Sequence, residues 1–350
     1  MTTLQDVALA AGTSKATVSN VLNDRPGMVS ARVREKVMDT AKRLGYRPNR
    51  LARQLRRQSH RVISVALASS FAFSQRWRSS LSLTLRIVQG ISSYASELGY
   101  HVHLLAPTEN ADLNEMRKQF LGENAVDGVV LMGLPNDEAE LLRFIADLGK
   151  IGMPMVTADR FVMALGVPGV SVDVRPGCRQ AAQLLARGGH REVAFLGLSD
   201  QSVRSHMSSR LSVFKEECAL VGVRVPEEHT VEAVTEVEAY CATNALLDRS
   251  GAPPCIVYTG DFQAMAGLRA IRERGLRCPR DVSVLSFNND PAARSSEVPL
   301  TTIDLKHFEQ GRCLATTLFN RIERPDAPVP SLTLVASELV ERESVGPAPR

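Results

Sequence analysis

The chain has 350 residues, 44% apolar and 23% charged, which suits two or three globular domains and excludes wholesale disorder. It has no apolar run long enough to span a bilayer, and it begins without a basic leader and apolar stretch, so we expect a cytoplasmic protein. The net charge of +4 conceals a basic module, because residues 1–61 carry 13 Lys and Arg against 4 Asp and Glu, and the rest carry 29 against 34. We expect this module alone to meet a polyanion such as nucleic acid, and the alternative is a solvated basic face.

Residues 3–22 predict two short helices joined by a tight turn. Apolar residues recur at helical spacing on either side of Gly12, which breaks the chain. Ser14 offers an N-cap for the second helix. Two short helices joined by a glycine-containing turn form a helix-turn-helix, so we interpret residues 1–48 as an all-α DNA-binding headpiece.

A third helix is predicted between Ser30 and Gly45. Apolar residues recur there at helical spacing, at Val33, Val37, Ala41 and Leu44. Gly45 suits a left-handed C-cap. Three short helices with so few large apolar side chains predict a headpiece of marginal stability.

The sequence of this module resembles that of a known family. The segments are TLQDVALAAGTSKATVSNVLN (3–23), VSARVREKVMDTAKRLGYRPN (29–49) and the RLARQLRR that follows. They are similar, densely and without gaps, to the headpiece of the lactose-repressor (LacI/GalR) family of transcriptional regulators. The resemblance implies a bacterial, nucleoid-associated repressor that binds a pseudo-palindromic operator as a homodimer and is gated by a small effector.

The same resemblance implies that the second helix enters the major groove of DNA and reads bases through Lys15, Ala16 and Asn20. Lys15 can donate to guanine, Asn20 can pair with adenine, and Ala16 can contact a thymine methyl group. Phosphate contacts, which fix register without reading sequence, are implied for Ser14, Thr17, Ser19, Asn23 and Ser30. For Thr17 and Ser19 the alternative is a helix-surface hydroxyl without a role.

Residues 49–61 form the connection between the headpiece and the rest of the chain. Pro48 opposes simple continuation of the third helix, and the segment 49–57 is too short to be helical alone in water. The resemblance implies a hinge helix that orders on DNA, lies in the minor groove and inserts Leu55 between base pairs. The implied minor-groove residues are Asn49, Ala52, Leu55 and Arg56. The alternative is a flexible basic linker.

From residue 62 onward, short apolar strands alternate with helices. Strands are predicted at 62–68, 100–105, 127–132, 153–159, 169–173, 191–197, 255–260 and 281–287. In the first half, helices are predicted near 80–98, 112–122 and 137–148. Continuous apolar strands with crossover helices predict parallel sheets covered on both faces, in two doubly wound α/β subdomains. A ligand is then expected between the subdomains, beyond the carboxyl ends of the strands.

The family resemblance extends over this body. The matching segments are ARGGHREVAFLG (186–197), Arg210 with Phe214, CPRDVSVLSF (278–287) and VPLTTIDLKHFEQGRCLATTL (298–318). They imply a periplasmic-binding-protein-like core at 62–343 in which the chain crosses three times between subdomains. We place the N-subdomain at 62–160 plus 292–323, the C-subdomain at 161–291 plus 324–343, and a tail at 344–350. The tail has no apolar heptads, so a tetramer-forming coiled coil is not expected.

Three residues match effector-contacting positions of the family, namely Asp159, Arg210 and Asn288. A carboxylate, a guanidinium and an amide can make paired hydrogen bonds to vicinal hydroxyls, so the implied effector is a sugar or sugar derivative. The alternative for each is a cap or a salt bridge between the subdomains. Two departures concern this site: Gly260 stands where family members often have Asn, and Asn288-Asn289 where they often have Asp-Asp.

The stretch 71–82 is longer and more basic than is usual in the family. Trp77, the only tryptophan, can stack on a sugar ring, and a surface role is the alternative. Because Arg76 and Arg78 flank it, a sugar phosphate remains open as the effector.

The sequence contains no G-x-G-x-x-G after a strand, no phosphate-binding loop, no H-E-x-x-H and no G-x-S-x-G motif. The seven histidines and six cysteines show no metal-ligand spacing and no C-x-x-C pair. We therefore expect no catalytic residue, metal or cofactor. The alternatives are a sugar-binding protein or sugar-modifying enzyme of similar body, or a DNA binder that ignores effectors. Effector-dependent operator affinity separates the last of these from a ligand-gated regulator.

Overall fold

The computed structural model describes residues 4–22, 29–44, 60–67, 81–105, 126–132, 138–158, 166–197, 210–249, 253–325 and 327–349. The chain divides into two compact units, Met1–His60 and Arg61–Arg350. The first unit is helical and the second is an α/β body, which confirms the predicted fold class.

The headpiece contains three helices close to the predicted bounds. They are α1 (Leu4–Ala11), α2 (Lys15–Leu22) and α3 (Ala31–Arg43). Gly12 adopts φ 63° between α1 and α2, a left-handed conformation that a residue without Cβ adopts at little cost. The core consists of small apolar residues: Val7, Ala8, Ala11, Val18, Val21, Val37 and Ala41. The helix-turn-helix is therefore held by little buried area.

The body contains two six-stranded sheets. The first has the order β11-β5-β4-β3-β1-β2 and is parallel throughout. Its strands are β1 (Val62–Leu67), β2 (His101–Leu105), β3 (Gly128–Met132), β4 (Met155–Ala158), β5 (Gly169–Asp173) and β11 (Leu332–Ala336).

The second sheet has the order β12-β10-β9-β8-β6-β7. Its strands are β6 (Ala194–Gly197), β7 (Thr230–Glu232), β8 (Cys255–Tyr258), β9 (Ser283–Phe287), β10 (Thr301–Asp304) and β12 (Glu338–Val340). All of its pairs are parallel except β10 with β12. Each sheet and the helices packed on it form one lobe of the body. The region where the lobes meet is called the waist, and it comprises the crossovers at Val174, 305–306 and Ser337 together with the strand ends beside them, including the segment 288–290.

Helices cover both faces of each sheet. They are α4 (Leu81–Glu97), α5 (Glu138–Lys150), α6 (Arg175–Arg187), α7 (Arg210–Leu220), α8 (Glu236–Leu247), α9 (Asp261–Glu273), α10 (Pro291–Arg294) and α11 (His307–Glu323). In the first lobe, α4 and α11 bury one face of the sheet and α5 buries the other. In the second lobe, α6 and α7 cover one face and α8 and α9 the other. This double coverage explains why the strands are apolar runs rather than alternating ones.

The predicted subdomain boundaries need correction. The strand 169–173 was placed in the C-subdomain, but it pairs with β4 in the first sheet, with Thr157 opposite Gly169. The strand 301–304 was placed in the N-subdomain, but it pairs with β9 in the second sheet. Likewise 332–336 lies beside β5 in the first sheet. The reason is that an apolar run predicts a buried strand without indicating which sheet receives it.

The chain passes between the lobes at Val174, at 305–306 and at Ser337. The predicted boundaries at 160/161 and 291/292 put crossovers close to Asp159 and Asn288, but the observed crossovers lie away from both residues in sequence. Ala158 ends β4, and the next strand belongs to the same sheet. Asn288 connects two strands of the second sheet.

The segment 344–350, predicted to be a tail, packs on the second sheet over 344–348. Ser344 is fully buried, and its hydroxyl donates to the Val284 carbonyl oxygen at 2.6 Å while accepting from the Thr301 N–H at 2.8 Å. The Ala348 N–H donates to the Gly188 carbonyl oxygen at 2.8 Å. The segment 344–348, Ser-Val-Gly-Pro-Ala, predicts no strand, yet its backbone and the Ser344 hydroxyl bond to β9 and β10 and to Gly188.

Two glycines allow α4 and α11 to touch backbone to backbone. A Cβ at Gly90 would overlap the carbonyl oxygen of Phe308, and a Cβ at Gly311 would overlap that of Ile87. The pair packs Ile91 against Leu314 and Leu318 in the same apolar cluster. This contact fixes the start of α11, which follows the crossover at 305–306.

Among the described residues, no helix is long and apolar enough to cross a membrane. Those residues also bring together no group of His, Cys, Asp and Glu side chains that could hold a metal ion. The predicted helix at 112–122 lies outside them.

Candidate DNA-binding helix and interlobe site

Ser14 caps α2, the predicted recognition helix. Its hydroxyl oxygen accepts from the Thr17 backbone N–H at 3.0 Å and lies 2.8 Å from the Thr17 hydroxyl. This bond satisfies one of the amides left free at a helix start. Lys15, the first residue of α2, is exposed. The cap therefore places a cation and the exposed helix N-terminus side by side.

The other predicted DNA contacts are described only in part. Ala16, Ser19 and Asn20 lie on α2, and their side chains are outside the described part of the structure. Ser30 is exposed at the start of α3 and makes no capping bond with its side chain. Five further residues lie outside the described ranges, namely Asn23, Asn49, Ala52, Leu55 and Arg56.

The described cations of α3 are surface groups. Arg32, Lys36, Lys42 and Arg43 are exposed. The core beneath them is neutral and apolar. A small unit whose described cations lie mostly at its surface has the electrostatics that binding of a polyanion requires.

In the body, Arg210 contacts the carboxyl ends of two neighbouring strands, one of which ends directly before Asn288. Arg210 begins α7, and its guanidinium donates to the carbonyl oxygen of Thr259, the residue after β8. The guanidinium also lies 5.5 Å from the ring centroid of Phe287, which ends β9 directly before Asn288. The structure therefore places Arg210 at the strand end that leads into Asn288. Asp159 and Trp77 lie outside the described residues.

Asn288 is held in an unusual backbone conformation. Its φ is 105° and that of Asn289 is 54°, a region that asparagine tolerates better than most residues. The Asn288 N–H donates to the Ile303 carbonyl oxygen at 2.8 Å. The side chain is only 6% exposed, and its Oδ1 makes no hydrogen bond with any residue that the structure describes. Strain and an unpaired polar atom in one residue are typical of a functional position.

Gly260 and Asn288, the two departures from the family pattern, are neighbours in space. A Cβ at Gly260 would approach the Asn288 Nδ2 to 3.3 Å and would collide with the Gln263 amide oxygen. Gln263 is itself fixed, because its Nε2 donates to the Val234 carbonyl oxygen at 2.8 Å. The missing side chain at 260 therefore lets Gln263 and the Asn288 amide pack closely against the backbone there.

Asp261 is a buried carboxylate that was not among the site residues predicted from the sequence. It is 1% exposed and accepts from the Ser286 hydroxyl at 2.5 Å, the Thr302 hydroxyl at 2.9 Å and the Asp290 N–H at 2.6 Å. Burial raises the pKa of Asp261 to about 6, even though these bonds favour the charged form. The carboxylate ties together three segments of the second lobe.

The segment 288–290 is also bound to the first lobe. The Ser82 hydroxyl donates to the Asp290 carboxylate, and the Arg86 guanidinium donates to the Asn289 carbonyl oxygen at 2.9 Å. Both donors lie in the first two turns of α4. Through Asp290, the Asp261 cluster is therefore coupled to the opposite lobe.

The side chain of Asn289 is fixed from two sides. Its Nδ2 donates to Asp304 at 2.9 Å, and its Oδ1 accepts from the Arg342 guanidinium at 2.6 Å. Asp304 ends β10, directly before the crossover at 305–306. Asn289 thus links β10 to Arg342 through its side chain, whereas the Asn288 amide oxygen has no partner within the described ranges.

His307 is a second waist residue that sequence reasoning missed. It begins α11, is 7% exposed, and its Nδ1 lies 3.2 Å from the Gln310 amide oxygen. Burial lowers the pKa of His307 to about 4, and the positive charges of Arg210 and Arg86 contribute. The ring is therefore neutral at pH 7, and its Nε2 has no hydrogen-bond partner among the described residues. The one feature of the sequence that could have indicated a role for His307 is its position directly after a strand and a crossover.

Comparison with known proteins matches both units. Residues 3–49 match the family of bacterial regulatory proteins described as the lacI family, and residues 181–345 match the periplasmic binding protein-like domain. The chain is 30% identical to the HTH-type transcriptional regulator CelR of Thermobifida fusca, over 98% of each chain.

Solved structures agree over the whole chain. A transcriptional regulator CelR–cellobiose complex has a TM-score of 0.67 at 28% identity, covering 98% of this chain and 100% of that one. The lac repressor dimer bound to operator and the anti-inducer ONPF has a TM-score of 0.76 at 25% identity, covering 99% of each chain.

Proposed function

Because this chain belongs to the lacI family of bacterial regulatory proteins and is a ligand-responsive DNA-binding transcription regulator, we propose that it represses transcription as a homodimer on a pseudo-palindromic operator. A sugar or sugar derivative bound at the waist releases it from DNA. The protein acts in the bacterial cytoplasm, where its operator lies. It is a regulator and performs no catalysis, in line with the named relatives, which are regulators.

The headpiece supports the DNA half of this proposal. One helix-turn-helix covers one half-site, so a two-fold dimer on a palindrome supplies the second. Lys15, Ala16 and Asn20 read bases from α2, and the hydroxyls of Ser14, Thr17, Ser19 and Ser30, with Asn23, hold phosphates. The hinge at 49–61 enters the minor groove with Asn49, Ala52, Leu55 and Arg56.

The waist supports the effector half. The guanidinium of Arg210 lies over Phe287, the residue directly before Asn288, at the strand ends where doubly wound folds bind ligands. The CelR relative was solved with cellobiose, which favours a sugar for this chain as well. Asp159 and Trp77 complete the proposed site. The observation that carries the proposal is this polar pair in a body joined to a helix-turn-helix headpiece.

Asn20→Ala should relax base preference at one symmetric pair of operator positions. An amide that pairs with adenine contributes about 1–3 kcal/mol of discrimination. Binding-site selection with wild type and variant measures the change. Loss at both half-sites together supports the dimer, and an unchanged consensus would refute the role of Asn20.

Arg210→Ala should weaken binding of the effector by at least tenfold, because a charge-assisted hydrogen bond contributes about 1.5–3 kcal/mol. Operator titration at increasing sugar concentration measures the response. Arg269→Ala is a matched control, since Arg269 also lies over an aromatic ring, at 5.4 Å from Tyr240, but on the exposed surface of α9. Equal responses of the two variants would remove Arg210 from the site.

A further inference from the structure

Arg61, the first residue of the body, has an uncommon backbone conformation. The first compact unit ends at His60 and the second begins at Arg61. The φ of Arg61 is 54°, in the left-handed region that costs energy in any residue with a Cβ. Such a conformation persists only where the surrounding contacts impose it, and it is frequent at functional positions.

The backbone of Arg61 is bonded on both sides at the amino edge of the first sheet. Its N–H donates to Asp127 Oδ2 at 2.8 Å, and its carbonyl oxygen accepts from the His101 N–H at 2.9 Å. Asp127 directly precedes β3 and His101 begins β2, which are the two strands that flank β1. The residue that leads into β1 is therefore held by both neighbouring strands.

The side chain of Arg61 is held by the two helices on that face of the sheet. Its guanidinium donates to the Leu98 carbonyl oxygen at 2.9 Å, directly after the end of α4. It also lies 5.1 Å from the ring centroid of Tyr100. The Tyr100 ring meets Phe319 of α11 edge to face, with 4.7 Å between the centroids. The side chain thus ties the start of the body to α4 and α11.

These two helices run from Arg61 to the waist. They touch backbone to backbone at Gly90 and Gly311. At its first two turns α4 binds the segment 288–290 through Ser82 and Arg86, and α11 begins after the crossover at 305–306. A displacement of this pair of helices therefore also displaces Arg61.

We infer that Arg61 is a positioning residue for operator binding, because its side chain anchors the body end of the hinge 49–61 on α4 and α11. The inference rests on the proposed function, in which this hinge enters the minor groove. A segment that must order on DNA loses less conformational freedom when one of its ends is already fixed. Arg61 then acts without touching DNA, and a phosphate contact by its guanidinium is the rival outcome of the test.

The test uses the full chain and the operator that binding-site selection with wild type supplies. Arg61→Asn tolerates the positive φ, but its side chain is too short to reach the Leu98 carbonyl oxygen or the Tyr100 ring. Fluorescence anisotropy should show a loss of operator affinity of about 3- to 30-fold. The slope of log affinity against log salt concentration should not change, whereas each lost phosphate contact would lower it by about 0.9.

Tyr100→Leu removes the ring beneath the guanidinium and leaves the charge of the protein unchanged. We expect operator affinity to fall at least about threefold. The double variant with Arg61→Asn should bind within about twofold of Arg61→Asn alone, because both changes break one contact. If Tyr100→Leu binds within about twofold of wild type, the inference is overturned, and a lowered salt slope of Arg61→Asn then identifies a phosphate contact.

Circular dichroism checks that each variant is folded at the temperature of the measurement. Should Tyr100→Leu fail to fold, Asp127→Ala replaces it, since it removes the acceptor of the Arg61 N–H. The same loss of at least about threefold is expected, and binding within about twofold of wild type overturns the inference in the same way.

Arg312→Ala is the matched control. Arg312 also lies over an aromatic ring, 5.3 Å from the centroid of Tyr94, and it also bonds near the end of α4, to Glu97 at 2.7 Å. It belongs to α11 and not to the hinge. We expect operator affinity within about twofold of wild type. A loss as large as that of Arg61→Asn would show that any disturbance of this end of α4 weakens binding, against a specific role for Arg61.

The wild-type result distinguishes failure of this inference from failure of the proposed function. If selection with wild type recovers no preferred sequence, the proposed function fails and the anchor has no operator to serve. If wild type binds a selected operator and Arg61→Asn binds it within about twofold, the proposed function stands and only the anchor is wrong.

Discussion

Gly311→Ala is expected to destabilise the body by about 3 kcal/mol, at the upper end of the cost of overpacking a core. A Cβ at Gly311 would overlap the carbonyl oxygen of Ile87, and it would lie 3.0 Å from the Gly90 Cα. The overlapping atoms of Ile87 belong to the backbone, so no change of side-chain rotamer can relieve the overlap. The helices α4 and α11 must therefore move apart. Urea unfolding followed by circular dichroism measures the change.

Gly149→Ala is the matched control for this prediction. Gly149 lies in α5 of the same lobe, and a Cβ there would meet nothing within 4 Å. Alanine at an open helical position stabilises by about 0.5–1 kcal/mol relative to glycine. Equal unfolding free energies of the two variants would show that the helices can separate without cost, against the close crossing.

The same substitution should affect the site, because both helices reach it. Ser82 and Arg86 on α4 bind the segment 288–290, and His307 begins α11. Separating the helices would shift these three residues relative to Asn288. Weaker sugar binding by a folded Gly311→Ala protein is therefore expected as well.

Much of the fold could be predicted from the sequence because its signals are local. Apolar spacing on either side of Gly12 gave the helix-turn-helix, and apolar runs gave the eight predicted strands, all of which are present. Sheet membership could not be predicted in this way. The apolar run 169–173 suits a buried strand of either lobe, and the segment 301–304, Thr-Thr-Ile-Asp, was not among the predicted strands. Only long-range pairing assigns them to their sheets.

The sequence predicted site residues where the family resemblance pointed to a side chain of suitable chemistry. Arg210 and Asn288 were predicted together, and the structure places them beside Phe287 and Thr259. Asp261 and His307 were missed because their roles depend on burial and on partners far away in sequence. Thr302 contacts Asp261, and Gln310 contacts His307, only when the chain is folded.

The final prediction concerns Asp261, whose folded pKa of about 6 lies above its ordinary value of 3.8. The folded protein therefore binds more protons than the unfolded chain between these two values, and this carboxylate makes stability fall as the pH rises through them. The loss is about 3 kcal/mol over the whole range and about 1 kcal/mol between pH 5 and pH 7.

Asp261→Asn isolates this contribution, because an amide of the same shape does not titrate. Its oxygen can accept from the Asp290 N–H, and its NH2 can donate to the hydroxyl oxygens of Ser286 and Thr302. We expect the unfolding free energy of wild type, relative to this variant, to fall by about 1 kcal/mol from pH 5 to pH 7. Urea titrations at the two pH values measure the difference.

A carboxylate with the opposite shift provides the control for the sign. The Arg277 N–H, which donates to Asp281 at 2.8 Å, lowers the pKa of Asp281. Wild type should therefore gain stability relative to Asp281→Asn as the pH rises from acid values through the pKa of the unfolded chain. If the Asp261 difference has this same sign, the carboxylate is stabilised by its three donors more than burial costs it. The Asp261 cluster would then hold the second lobe to Asp290 and the opposite lobe most firmly at neutral pH, when the carboxylate is charged.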